Sequence, residues 1–231
     1  MWTFEPSAAL KVFRDWISEI NLKLIFNERL NRKNGVKKLG NKIVQITMES
    51  GRTFAGKMFI DATYEGDLLA AAGVSYTVGR EANSKYGETL NGVQTKMAKH
   101  HNFVDRVDPY RVKGDPSSGL LPFIDENGPG KEGGGDHKVQ GYCFRMCLTD
   151  HPDNRIPFKK PAGYNEMWFE LLLRNYEAGE TRVPWINSSM PNRKTDTNNR
   201  QGFSSDFIGQ NYDYPEADYA KREKIVAQHL L

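Results

Sequence analysis

Cysteine is scarce in this chain of 231 residues, which holds two, Cys143 and Cys147, in the stretch CFRMC. The CxxxC spacing is not that of a zinc or iron–sulfur ligand pair, and two thiols cannot supply a cluster. On a strand the pair shares a face about 13 Å apart, too far for a disulfide. Both are expected as buried apolar thiols. Long apolar runs are also missing: nothing approaches the ~20 residues of a membrane span, so no membrane partner is expected. The opening MWTFEPSAALKVF lacks the basic-then-apolar profile of a signal peptide. A cytoplasmic location is expected, any export signal having to lie further upstream. Charge of one sign is lacking as well: 32 basic against 29 acidic side chains leave +3, too little to argue for nucleic acid. The basic cluster RKNGVKK (32–38) reads as a solvated approach to a hairpin. The histidines His100, His101, His137 and His151 have no second ligand at metal spacing, so no metal is expected.

A working dinucleotide fingerprint is missing too. The literal GxGxxG at Gly128–Gly133 has neither a buried strand before it nor a helix after it, so the phosphate geometry that gives the motif its meaning is not there. It reads as a chance match in a flexible loop. Asn187-Ser188-Ser189 has the form of a glycosylation acceptor, a triplet that is common by chance.

What is present suits a soluble globular protein, with 38% hydrophobic and 26% charged residues. Apolar residues at helical spacing predict a helix over residues 6–20, with Pro6 in its first turn. LKLIF (22–26) reads as a short buried strand. Residues 41–50 and 52–62 read as a hairpin turning at Ser50-Gly51, and 75–81 as a further strand. A long polar region follows, and 139–149 is the strongest strand of the second half. Helices are expected over 164–179 and from 213 onward, with a turn-rich stretch (191–207) between them.

The most informative stretch is IDATYEGDLLAAAGV (60–74). A buried strand, KMFI (57–60), is expected to end at Asp61-Ala62-Thr63 and to lead into a short helix, Asp67 to Ala72, closed by Gly73. Ligands of α/β sheets sit beyond such carboxyl ends, where small residues let a cofactor approach the backbone. Asp67 is either the helix N-cap or a ligand to a ribityl or phosphate-bridging group, and an ordinary strand-to-helix turn accounts for the same residues.

With these blocks the chain resembles a known family. WTFEPSAALKVFRDW, FIDATYEGDLLAAAGVSYTVGRE, DPSSGLLP, FRMCLT, MPNRKTDTNN and NYDYPEADYA are similar to bacterial FAD-dependent oxidoreductases of the glutathione-reductase-like class. These are related to the flavin subunit of heterodisulfide reductase, and some are labelled xanthan lyase. The resemblance implies an α/β fold: a partial FAD-binding, Rossmann-like domain with a β-meander (1–79), then an antiparallel α+β substrate-facing region (80–231). It also implies that the chain is the middle portion of such an enzyme, a fragment without the N-terminal βαβ unit that cradles the pyrophosphate and without the last flavin-contacting part. Ala62, Thr63, Tyr64, Gly66 and Asp67 match the flavin-side segment, and Leu30 the position whose backbone meets the adenine. Where the family often has histidine after FEP, this sequence has Ser7-Ala8.

The activity so implied is hydride or electron transfer through a non-covalent FAD, to or from a small molecule. Arg80 and Arg145 are the candidate catalytic residues, as guanidinium groups able to hold an anionic substrate or steady reduced flavin. Each has the alternative of a structural ion pair, with Glu81 for example. Tyr142 and Cys143 flank the same strand. The other readings are a cofactor-free remnant acting as a binding module and a polysaccharide lyase, for which no base and charge-neutralising groove are evident. Expected partners are the missing parts of the same enzyme or further copies of the chain.

Overall fold

The computed structural model describes residues 3–98, 102–104, 106–200 and 202–230. It is a mixed α/β structure with several small antiparallel sheets. Two compact units divide it, one of Met1–Leu10 with Val78–Leu231, the other of Lys11–Thr77. The predicted histidine pair His100-His101 lies outside the described residues.

α1 (Pro6–Glu19) forms where helical spacing predicts it, and continues across the boundary into the smaller unit. None of its residues is buried; Phe13 and Trp16 meet edge to face at 5.7 Å, each 58% exposed. The sheet of the smaller unit follows, in the order β1 (Val36–Leu39), β2 (Lys42–Thr47) and β3 (Thr53–Ala55). β2 and β3 are the predicted hairpin, with Ile46 opposite Phe54 and Gly51 turning at φ 85°. β1 comes from the lysine-rich stretch expected only as an approach to a hairpin. Gly35 explains how it joins: a Cβ there would stand 2.2 Å from the Asn31 carbonyl oxygen and 2.6 Å from that of Thr47. Only glycine lets the two backbones come so close, and its carbonyl accepts the Thr47 N–H at 2.7 Å.

Three predicted strands do not form. LKLIF has no regular structure, and no backbone hydrogen bond joins any of Lys23 to Phe26 to a described residue. The return strand predicted over 52–62 stops at Ala55, and KMFI is exposed rather than buried, Met58 at 79% and Ile60 at 83%. Residues 75–81 contribute a single bridge, Arg80 to Asp136. An apolar run becomes a strand only where a neighbour takes up its N–H and C=O groups, and among the described residues these runs find such a neighbour only at Thr53–Ala55 and at Arg80.

The larger unit shows the converse. Strands form where none was expected: β4 (Tyr110–Val112) pairs with β5 (Asp115–Leu120) in the long polar region, and β8 (Lys194–Asn199), in the turn-rich stretch, pairs with β7 (Trp185–Met190). β6 (Met146–Thr149), shorter than the predicted 139–149, completes the three-stranded order β6-β8-β7. Buried polar side chains hold this sheet together. Thr197 has no exposed surface, donates to Asn187 Oδ1 at 2.7 Å and lies 3.0 Å from the Thr195 hydroxyl. Asn187, the asparagine of the glycosylation-like triplet, is thus engaged in a strand. α3 (Glu170–Glu177) follows a 3₁₀ turn (Glu166–Phe169) capped by Asn165, whose side chain accepts the Met167 N–H. α4 (Tyr219–His229) is capped by Asp218, whose carboxylate accepts the Lys221 N–H at 2.8 Å.

The GxGxxG stretch is flanked by neither strand nor helix. It is not a free loop: Gly133 donates to the Val93 carbonyl at 2.8 Å and accepts from the Asn83 N–H at 2.9 Å.

Candidate functional site

The segment 61–73 lies wholly within the smaller unit, and Asp61 organises it. Its Oδ1 accepts the Thr63 N–H at 3.0 Å and the Thr63 hydroxyl at 2.6 Å. Its Oδ2 accepts the N–H groups of Leu68 at 3.0 Å and Leu69 at 3.2 Å, the first turn of α2 (Asp67–Ala71). One carboxylate therefore ties the start of the turn to the start of the helix. Burial pushes the Asp61 carboxyl up, but the bonds from Thr63, Leu69 and Leu68 outweigh it and hold the group below its ordinary range. Thr63 continues the network, its hydroxyl accepting the Gly66 N–H at 3.1 Å.

Asp67 is not the N-cap that the sequence suggests. Gly66 occupies that position at φ 66°, ψ 37°, and no side chain of its own caps the helix. Asp61 takes the capping role from six residues upstream, which leaves the Asp67 carboxylate to pair with Arg32 at 3.1 Å. At the other end the Ala72 carbonyl accepts from Lys38 at 2.7 Å, and Gly73 turns the chain away at φ 74°. The ion pair brings the loop after Leu30 to the start of α2. Leu30 itself bridges Met48 across the adjoining sheet.

The predicted flavin-side residues therefore form one locally braced edge. Thr63 and Gly66 are held by hydrogen bonds and Asp67 by Arg32; Ala62 is exposed, and Tyr64 is fully exposed. A Cβ added at Gly66 would meet only the Leu69 Cβ, at 3.8 Å, so no side chain crowds the turn. Asp61 and Arg32 were not among the predicted site residues. The signal for Asp61 is the carboxylate that ends the run KMFI; for Arg32 the sequence offers none.

Arg80 and Arg145 belong to the larger unit. Arg80 holds Asp136 through Nε at 2.9 Å and through Nη2, which also donates to the Pro129 carbonyl at 3.3 Å. Its partner is Asp136, not Glu81, which pairs with Lys85. Arg145 grips Asp196 side-on, Nε to Oδ1 at 2.9 Å and Nη2 to Oδ2 at 2.5 Å, and neither bond uses Nη1. The Arg145 side chain is 56% exposed. Two residues away, Cys143 and Cys147 are exposed rather than buried. The Cys143 thiol is pushed up, first by local burial and then by the Asp206 carboxylate, which makes it a poor nucleophile. Tyr142 packs on Tyr214 with ring centres 4.7 Å apart. Among the described residues no group of three or more His, Cys, Asp or Glu is placed to hold a metal ion, and no helix is long and apolar enough to cross a membrane.

In comparison with known proteins the chain matches a family model described as FAD dependent oxidoreductase, over residues 1–231. No curated protein and no solved structure matches the chain. A match over the full length settles the family and, with it, FAD as the cofactor: the chain belongs to the FAD dependent oxidoreductase family.

Proposed function

We propose that the chain forms part of a glutathione-reductase-like flavoenzyme and lays the edge 62–67 along a non-covalently bound FAD. The observation that carries this reading is the Asp61 network, which braces a turn where Ala62, Thr63 and Tyr64 are exposed and no side chain crowds Gly66. These residues fit the cofactor as a contact surface. Ala62 and Gly66 let a planar or extended group approach the backbone, and Thr63 and Asp67 are held in place beside it by Asp61 and Arg32. They do not fit it as a pyrophosphate cradle. The Leu68 and Leu69 N–H groups, which a phosphate would need, already bond the Asp61 carboxylate. In this reading the FAD phosphates are held by groups other than this turn. FAD, when bound, supplies the redox step, accepting or donating a hydride or electrons.

The smaller unit is the flavin-side part in this reading and the larger one faces the substrate. Arg145 is the better placed of the two arginines to meet an anionic substrate, since its Nη1 is not engaged with Asp196 and its side chain is half exposed. Arg80 acts as a positioning residue through Asp136. The substrate is a small molecule and the setting cytoplasmic.

Titrating the purified chain with FAD and following the visible flavin bands tests the proposal. Weak but saturable binding is expected, because the edge is one wall of the site. Ala62→Phe, at an exposed position outside the Asp61 network, should weaken it about tenfold. Binding of equal strength in the variant would place the flavin elsewhere.

A further inference from the structure

Ile156, 90% exposed, and Phe158, 83% exposed, are the most exposed large apolar side chains described in the larger unit. Every residue from 152 to 160 is exposed, and from Arg155 to Lys160 the chain has no regular structure. Cations frame the two apolar side chains: Arg155 precedes them and Lys159 and Lys160 follow, with no acidic residue anywhere in 154–165. Arginines elsewhere in this unit are matched by acids, Arg80 by Asp136, Arg145 by Asp196 and Arg193 by Asp150. Among the described residues neither Arg155 nor Lys159 has such a partner. Lys160 Nζ lies 4.4 Å from the centre of the Tyr164 ring, which stacks on Phe169 at 5.5 Å.

We propose that residues 155–160 dock the chain on an anionic lipid surface. Ile156 and Phe158 enter the boundary of the acyl chains, while Arg155, Lys159 and Lys160 stay among the headgroups. The backbone argues against a partner strand instead. Pro157 and Pro161 have no N–H to give, and residues 156–160 make no backbone hydrogen bond to a described residue. Recognition therefore falls to the side chains, two apolar tips set among cations that no acid neutralises. A polyanion in solution would answer the cations and leave both tips in water, whereas a negatively charged bilayer surface takes up both. No described helix is long and apolar enough to cross a membrane, and contact with a bilayer surface requires none. The docking segment shares no residue with the flavin-side edge 61–73 and holds whether or not that edge lies on FAD.

The full chain should cosediment with vesicles of phosphatidylcholine containing about 30% phosphatidylserine and come off them at high salt. Binding to phosphatidylcholine alone should be at least about tenfold weaker. Lys159→Gln should weaken binding to the anionic vesicles about fivefold, the factor that corresponds to roughly 1 kcal/mol per cation near such a surface. Ile156→Ser combined with Phe158→Ser should weaken it at least about tenfold and leave the thermal melt unchanged, since both side chains are exposed. Lys224→Gln, at an exposed position of α4, should bind as the parent does and reports any general effect of a lost cation. Failure of the parent to bind the anionic vesicles would overturn the proposal. So would binding that the serine pair leaves unchanged, or binding of equal strength to phosphatidylcholine alone. Equally tight binding of polyglutamate would overturn it too, by assigning the segment to an acidic polypeptide.

Discussion

Asp61 is the residue on which the proposed cofactor-side edge depends. It joins Thr63 to the first turn of α2, so Asp61→Ala should cost the smaller unit about 1–2 kcal/mol, read by denaturant unfolding at neutral pH. Its carboxyl titrates lower in the folded protein than the 3.8 of a free aspartate. Its contribution is therefore complete above that pH and declines as pH falls through the lower folded value, and the alanine variant should lose that part of the acid dependence. Glu180 offers a larger signal. The Arg182 side chain and its N–H hold this carboxyl at about 2, against 4.5 unperturbed. The stabilisation it provides is present above 4.5 and lost between there and about 2. Glu180→Gln should differ from the parent at neutral pH and converge with it across that window, and a carboxyl resonance titrating near 4.5 would contradict this. Of the two acids, Asp61 could be anticipated from sequence as the charge that ends an apolar run. Glu180 could not, because its partner lies two residues on in a bend that no pattern announces.

Elements built on periodicity or on glycine punctuation were legible, and those built on buried polar contacts were not. α1 follows from apolar residues at helical spacing, and α2 from the small residues between Gly66 and Gly73. β8 reads KTDTNN, and nothing apolar in it predicts a strand; it is one because Thr197 finds Asn187 and Thr195 in a fully buried position. LKLIF and KMFI fail in the opposite sense. Their apolar character is plain, but burial requires a neighbouring strand that the pattern does not specify. Arg174 shows what buried polar contacts contribute at this scale. Only 5% exposed, it donates to the carbonyls of Asp108, Tyr110 and Arg111 and to Glu170, which fastens β4 to α3. Arg174→Met should lower the stability of the larger unit by about 3–5 kcal/mol, because it removes the buried cation that pairs with Glu170 and donates to three carbonyls. A thermal melt within a degree of the parent would show that the fastening lies elsewhere.

At the scale of the whole molecule, the family match covers the full chain, while the two groups of predicted site residues fall in different units. The flavin-side residues Leu30, Ala62, Thr63, Tyr64, Gly66 and Asp67 share the smaller unit, and Arg80 and Arg145 the larger. The sequence resemblance, whose blocks are long and ordered, carried the family and the cofactor. It did not foresee that Asp61 would accept the Leu68 and Leu69 N–H groups, which leaves neither of them to a phosphate. The most direct measurement of the account's central claim is amide hydrogen exchange of the full chain with and without excess FAD. The account predicts slowed exchange confined to residues 62–67, with the Leu68 and Leu69 amides, already bonded to Asp61, unchanged. Protection of the Leu68 and Leu69 amides instead, or saturable FAD binding with no change anywhere in 61–69, would contradict it.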